Sequence, residues 1–128
     1  MSHVKVRAKV WNIEDPSKFR EVEMLVDTGS TYTILPRSLL EELGVKPIGK
    51  RKLKLADGRI IEREVGMIGI EVEGEKIHTP VIFGDEGIYL LGIVTLEELG
   101  LELDLSTGKL KHADALPMFH WRIITVQC

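Results

Sequence analysis

Residues Glu23–Pro36 read EMLVDTGSTYTILP: an apolar run ends in an acid, and a threonine, a glycine and a serine follow before a second apolar run closes on proline. Upstream, FREVEMLV (Phe19–Val26) predicts a strand that runs directly into Asp27. An acid at the mouth of an apolar strand is held rigidly, and Gly29 lets backbone N–H groups approach it with no side chain in the way. Alone, Asp-Thr-Gly also makes ordinary turns and helix caps, so its neighbours decide the reading.

After Pro36 comes RSLLEELG, where Leu39, Leu40 and Leu43 share one helical face, Pro36 lies near the first turn and Gly44 stops the helix. Before the acid, HVKVRAKV alternates through Val4, Val6, Ala8 and Val10 as a half-buried strand does, and EDPSK turns the chain. From Lys52, KLKLADGRIIE predicts two strands about Asp57-Gly58, and MIGIEVEGEKIHTPVIF repeats the design about EGEK. GIYLLG is apolar and ends at Gly92. TLEELG then predicts a second short helix, capped by Thr95 with Glu98 completing a capping box. LELDLSTGKLKH reads as a hairpin about STG, and MFHWRIITV as a last strand after Pro117.

A chain of 128 residues holds one ordinary core, so residues 1–128 are expected to form a single, mostly β domain with two short helices. With 44% hydrophobic and 29% charged residues the composition is that of a soluble globular protein, and a net charge of -3 offers nucleic acid no general attraction. The basic run KRKLK (Lys50–Lys54) alternates with Leu53 and Leu55 and reads as the wet face of a strand. The longest apolar run, around IYLLGIVTL, is too short for a bilayer span, and no signal-peptide layout is present; the expectation is a cytoplasmic protein with no membrane partner. The single cysteine, Cys128, allows no internal disulfide and fits a reducing compartment.

Other chemistries find little support. His3, His78, His112 and His120 are scattered without the spacing of metal ligands, so no metal site is expected. Ser30 lacks the Gly-x-Ser-x-Gly setting of a hydrolase nucleophile, and GDEGIYLLG lacks the lysine of a phosphate-binding loop.

Three motifs in order, VDTGS, the Gly-tipped hairpin LADGR, and LLG (Leu90–Gly92) before a helix, resemble the retropepsin-like aspartic proteases. The resemblance covers Glu23 to about Leu103, and the continuation YTILPRSLLEELG is more like cellular and microbial members than viral ones. It implies a closed β-rich barrel with one lobe per chain, a two-fold homodimer, and peptide-bond hydrolysis with no metal or cofactor. It implies catalysis by Asp27, with Thr28 hydrogen-bonding across the dimer and Ser30 bonding the outer carboxylate oxygen, a contact that would favour the ionised form. Gly29 admits backbone N–H groups, Leu90 and Leu91 pack under the loop, and Gly92 permits close backbone approach beside Asp27. Ala56, Asp57, Gly58 and Arg59 become the flap that closes over a peptide substrate.

The chemistry asks for a dimer independently. Hydrolysis by carboxylates needs one group to take a proton from water while another gives one to the carbonyl oxygen, and one Asp27 cannot do both at once. No second Asp-Thr-Gly or Asp-Ser-Gly occurs, and DLSTG (Asp104–Gly108) spaces its acid from the glycine differently. A two-fold axis brings each Asp27 to its own copy. Two such charges about 3 Å apart repel by roughly 5 kcal/mol at an effective dielectric near 20, so one proton is shared between them. That sharing is the established behaviour of aspartic proteases, and activity biased towards acid pH is expected. Ile93 and Val94 are apolar where relatives often carry a polar or charged residue, which leaves the dimer contact open; Phe119, Trp121 and Ile123 either supply it or cover the domain's own sheet. The same fold also allows an alternative, a catalytically weak dimeric peptide-binding or assembly module.

Overall fold

Alternation sets the first pair of strands. A computed structural model of the chain describes residues 4–114. In β1 (Lys5–Trp11), Val6, Ala8 and Val10 point into the core, and β2 (Phe19–Val26) pairs antiparallel to it with Lys5 opposite Leu25 and Trp11 opposite Phe19. The turn between them is organised by Asn12, whose Oδ1 accepts from the Glu14 N–H at 2.8 Å while Nδ2 donates to Leu43 O at 2.8 Å.

After the Asp27 loop come β3 (Thr33–Pro36) and α1 (Arg37–Glu42). Leu39, Leu40 and Leu43 are buried as the helical spacing predicts, and Gly44 ends the turn with φ +78°. Next follow β4 (Gly49–Lys54), a long β5 (Ile60–Val72), β6 (Glu75–Gly84), the two-residue β7 (Leu90–Leu91), α2 (Ile93–Leu99), and a separate hairpin of β8 (Leu101–Asp104) and β9 (Lys109–His112). The three predicted hairpins about ADG, EGEK and STG all form. The predicted strand MFHWRIITV, with Phe119, Trp121 and Ile123, lies outside the described residues, as do His3, His120 and Cys128.

The main sheet has the order β1-β2-β7-β3-β6-β5-β4, and β1 also pairs with β5 through Val10 opposite Ile70. That extra pairing closes β1, β2, β7, β3, β6 and β5 into a ring and leaves β4 outside it. One long strand therefore does two jobs. The second half of β5 is a wall of the barrel, while its first half pairs with β4 to form an arm that reaches beyond the ring. Closure removes most free edges, which open sheets must otherwise protect. Inside, Met24, Leu35, Leu40, Ile68, Phe83 and Leu91 are fully buried; burying each such side chain contributes about 1.5–3 kcal/mol.

Candidate active site

Asp27 follows the last residue of β2, and its position is set by β7. Val26 pairs in parallel with Leu91, and the Asp27 N–H donates to Leu91 O at 3.0 Å. The side chains of Val26 and Leu91 are both buried. The chain then turns sharply: the Ser30 N–H donates to Asp27 O at 3.0 Å, and the Gly29 N–H donates to Asp27 Oδ1 at 3.0 Å. A Cβ at position 29 would sit 3.3 Å from that same oxygen, tighter than ordinary contact, so the glycine gives the amide room beside the carboxylate. Asp27 is half-buried, while Thr28 and Gly29 form the exposed tip.

The expected bond from Ser30 to the carboxylate is not made. Ser30 Oγ donates to Tyr32 O at 2.8 Å instead, because the loop curls so that this carbonyl is the acceptor within reach. Among the described residues the backbone of Gly29, and not a hydroxyl, donates to the acid.

Behind the loop, LLG behaves as a clamp. A Cβ on Gly92 would lie 2.4 Å from Tyr32 C and 2.6 Å from Tyr32 O, so only glycine lets the two backbones meet. The close approach is thus to Tyr32, just downstream of the acid. The Ile93 N–H donates to Ser30 O at 2.8 Å and the Val94 N–H to Thr31 O at 3.1 Å. These two bonds satisfy N–H groups at the start of α2 that would otherwise need a side-chain cap. Thr95 is accordingly not the cap: α2 begins at Ile93 after Gly92, and Thr95 lies inside the helix, buried. Its Oγ1 is 2.6 Å from Thr33 Oγ1 and 2.8 Å from Thr79 Oγ1, and Thr33 Oγ1 accepts from the Gly92 N–H at 3.1 Å. A buried hydroxyl chain therefore ties β3, β6 and α2 together behind Asp27. The sequence carried one signal for it: Thr79 stands at an inward position of β6, between Ile77 and Val81, where an apolar residue is the rule.

In front of Asp27 lies a cleft of about 510 Å³, lined by Asp27, by residues 29–32 of its loop, by Ile34 and Ile82, and by residues 52–56 of the arm. Of the expected flap residues, Ala56 lines this cleft and Asp57, Gly58 and Arg59 form the exposed tip. The Gly58 N–H donates to Leu55 O at 2.9 Å and Gly58 has φ +89°, the left-handed residue that a three-residue hairpin loop requires. The Arg59 N–H and Nε hold the Asp57 carboxylate at 2.9 Å and 2.7 Å, which lowers its pKa, the backbone bond being the larger cause. Lys52 and Lys54, read from the sequence as a solvated face, line the cleft. A larger hollow over Trp11, Ile77 and His78, about 670 Å³, contains none of the loop residues. Among the described residues no group of His, Cys, Asp and Glu could hold a metal ion, and no helix is long and apolar enough to cross a membrane.

A strand-borne Asp-Thr-Gly lies under a β arm on a closed β ring and is braced from behind by Leu-Leu-Gly and a short helix. The chain belongs to the aspartyl protease family, whose model matches residues 11–102. No curated protein matches it significantly. Among solved structures it is similar to EIAV protease complexed with the inhibitor HBY-793, at 20% identity over 80% of this chain and 93% of that one, with a TM-score of 0.63. It is also similar to the solution structure of the simian foamy virus (mac) protease, at 21% identity over 74% of this chain and 93% of that one, TM-score 0.54. The fold is that of a retropepsin-like aspartic protease, mostly β with two short helices.

Proposed function

We propose that this protein is an aspartic endopeptidase that works as a two-fold homodimer, with Asp27 of each chain forming one catalytic dyad. The observation that carries the proposal is the composition of the cleft: among the described residues Asp27 is its only carboxylate. Peptide hydrolysis needs a base for water and an acid for the carbonyl oxygen, so the second carboxylate comes from a partner chain, and a two-fold axis supplies it as another Asp27. In this reading Thr28, which is exposed at the loop tip, meets its own copy across that axis. The pair shares one proton; the ionised member takes a proton from water as the other protonates the carbonyl.

The substrate is an extended peptide lying between the Asp27 loop and the arm, held by sheet-like backbone bonds with side chains against Ile34, Leu53 and Ile82. The arm closes over it and excludes water, with Asp57, Gly58 and Arg59 at its tip. A reducing, cytoplasmic setting fits the single cysteine.

Asp27→Asn tests the reading. It should abolish cleavage of a mixed peptide pool while the protein keeps its fold and its dimeric mass in solution. A wild-type protein that is strictly monomeric and still cleaves would rule out the shared dyad. So would a rate that keeps rising from about pH 5 to about pH 8, where the shared proton is lost.

A further inference from the structure

The arm that roofs the cleft is the most basic part of an acidic chain. From Lys46 to Glu64 there are seven basic and three acidic residues, against a net charge of -3 for the whole protein. All three acids have partners: Asp57 pairs with Arg59, Glu62 with Lys50, and Glu64 with Arg37. Lys52 and Lys54 have no carboxylate within ion-pair distance among the described residues, and both line the cleft that contains Asp27. Cross-strand pairing does not neutralise them either. Lys54 stands opposite Ile60, and Lys52 stands opposite Glu62, whose carboxylate is the one bonded by Lys50.

We infer that Lys52 and Lys54 make the protease selective for substrates with an acidic side chain close to the scissile bond. This rests on the protease reading above and adds a substrate class to it. The apolar surface of Ile34, Leu53 and Ile82 takes the residues nearest the cleaved bond, and the two ammonium groups on the arm take a flanking glutamate or aspartate. Their charge also steers acidic segments towards the cleft. Long lysine side chains suit this work, since they reach a flanking carboxylate while their stems cover apolar surface.

The test uses three fluorogenic peptides identical except for the flanking residue, which is Glu, Gln or Lys. Wild-type protein should cleave the Glu peptide about three- to tenfold more efficiently in kcat/KM than the Gln peptide, the range two exposed ion pairs supply. The advantage should shrink in roughly 1 M salt, where screening acts over about 3 Å. The double variant Lys52→Glu/Lys54→Glu should reverse the order and favour the Lys peptide. Equal rates on all three peptides, or a preference that the double variant leaves unmoved, overturn the inference and leave proteolysis standing. If none of the three is cleaved, the protease reading falls. Fluorescence anisotropy of the labelled peptides then decides the inference alone: tighter binding of the Glu peptide upholds it, and equal binding overturns it.

Discussion

Replacing Thr95 by valine swaps a buried hydroxyl for a methyl of nearly the same size, so it removes hydrogen bonds without opening a cavity. Thr95 is 1% exposed, and Thr33 and Thr79 are 0% exposed. Two hydroxyl contacts vanish, the 2.6 Å one to Thr33 and the 2.8 Å one to Thr79. Each is worth about 0.5–1.5 kcal/mol net, and a buried polar group left without a partner costs about 1–3 kcal/mol. Thr33 keeps the Gly92 N–H as a partner, whereas Thr79 loses its bond to Thr95. The extra methyl returns part of the loss, so the expected destabilisation is about 2–4 kcal/mol. Urea titration at fixed protein concentration should lower the midpoint with the slope unchanged; the fixed concentration matters because the stability of the proposed dimer depends on it. Thr79→Val added to Thr95→Val should cost less than the two single changes summed, since it removes the orphaned hydroxyl. A shift below about 0.5 kcal/mol for Thr95→Val, or strict additivity in the double variant, would refute the hydroxyl chain as a structural brace.

Gly92→Ala should be more damaging to turnover than to folding, because its Cβ would push on Tyr32 C and O at 2.4 Å and 2.6 Å and displace the loop that carries Asp27; about 2–3 kcal/mol of overpacking is expected in thermal unfolding, with kcat falling further than that loss predicts. The Asp57 carboxyl, held by the Arg59 N–H and guanidinium, should titrate by NMR below the ordinary aspartate value of about 3.9. Because its folded value is the lower one, its support of the flap turn is complete above about pH 3.9 and is lost as pH falls through that lower value. A midpoint at or above 3.9 would show the ion pair to be absent in solution.

Much of the site was legible because the signals are local. Asp27 follows its strand by one residue, Gly29 is two residues on, and the paired leucines before Gly92 sit in an unbroken run. The hairpins and α1 were legible for the same reason, since turn residues and helical spacing act over a few positions. Thr95 was misread because a threonine three residues before a glutamate looks like a cap locally. Its real partners, Thr33 and Thr79, are 62 and 16 residues away. Ser30 was misread for a related reason: which acceptor its hydroxyl reaches depends on how the loop curls, and that curl is held by Ser30 O and Thr31 O bonding the start of α2. The lysines of KRKLK are exposed, as the alternation says, yet exposure does not tell whether the nearby solvent is open or is the cleft in front of Asp27.

From its order of residues alone, this chain specified a β-rich domain with an acid and a glycine at a strand end, because alternation, turn chemistry and glycine placement are properties of neighbours. Folding in three dimensions decided which threonines brace the Asp27 loop from behind and which lysines line the cleft beside it. The threonine contacts join positions 62 and 16 residues apart, beyond the reach of any signal between neighbours in the chain.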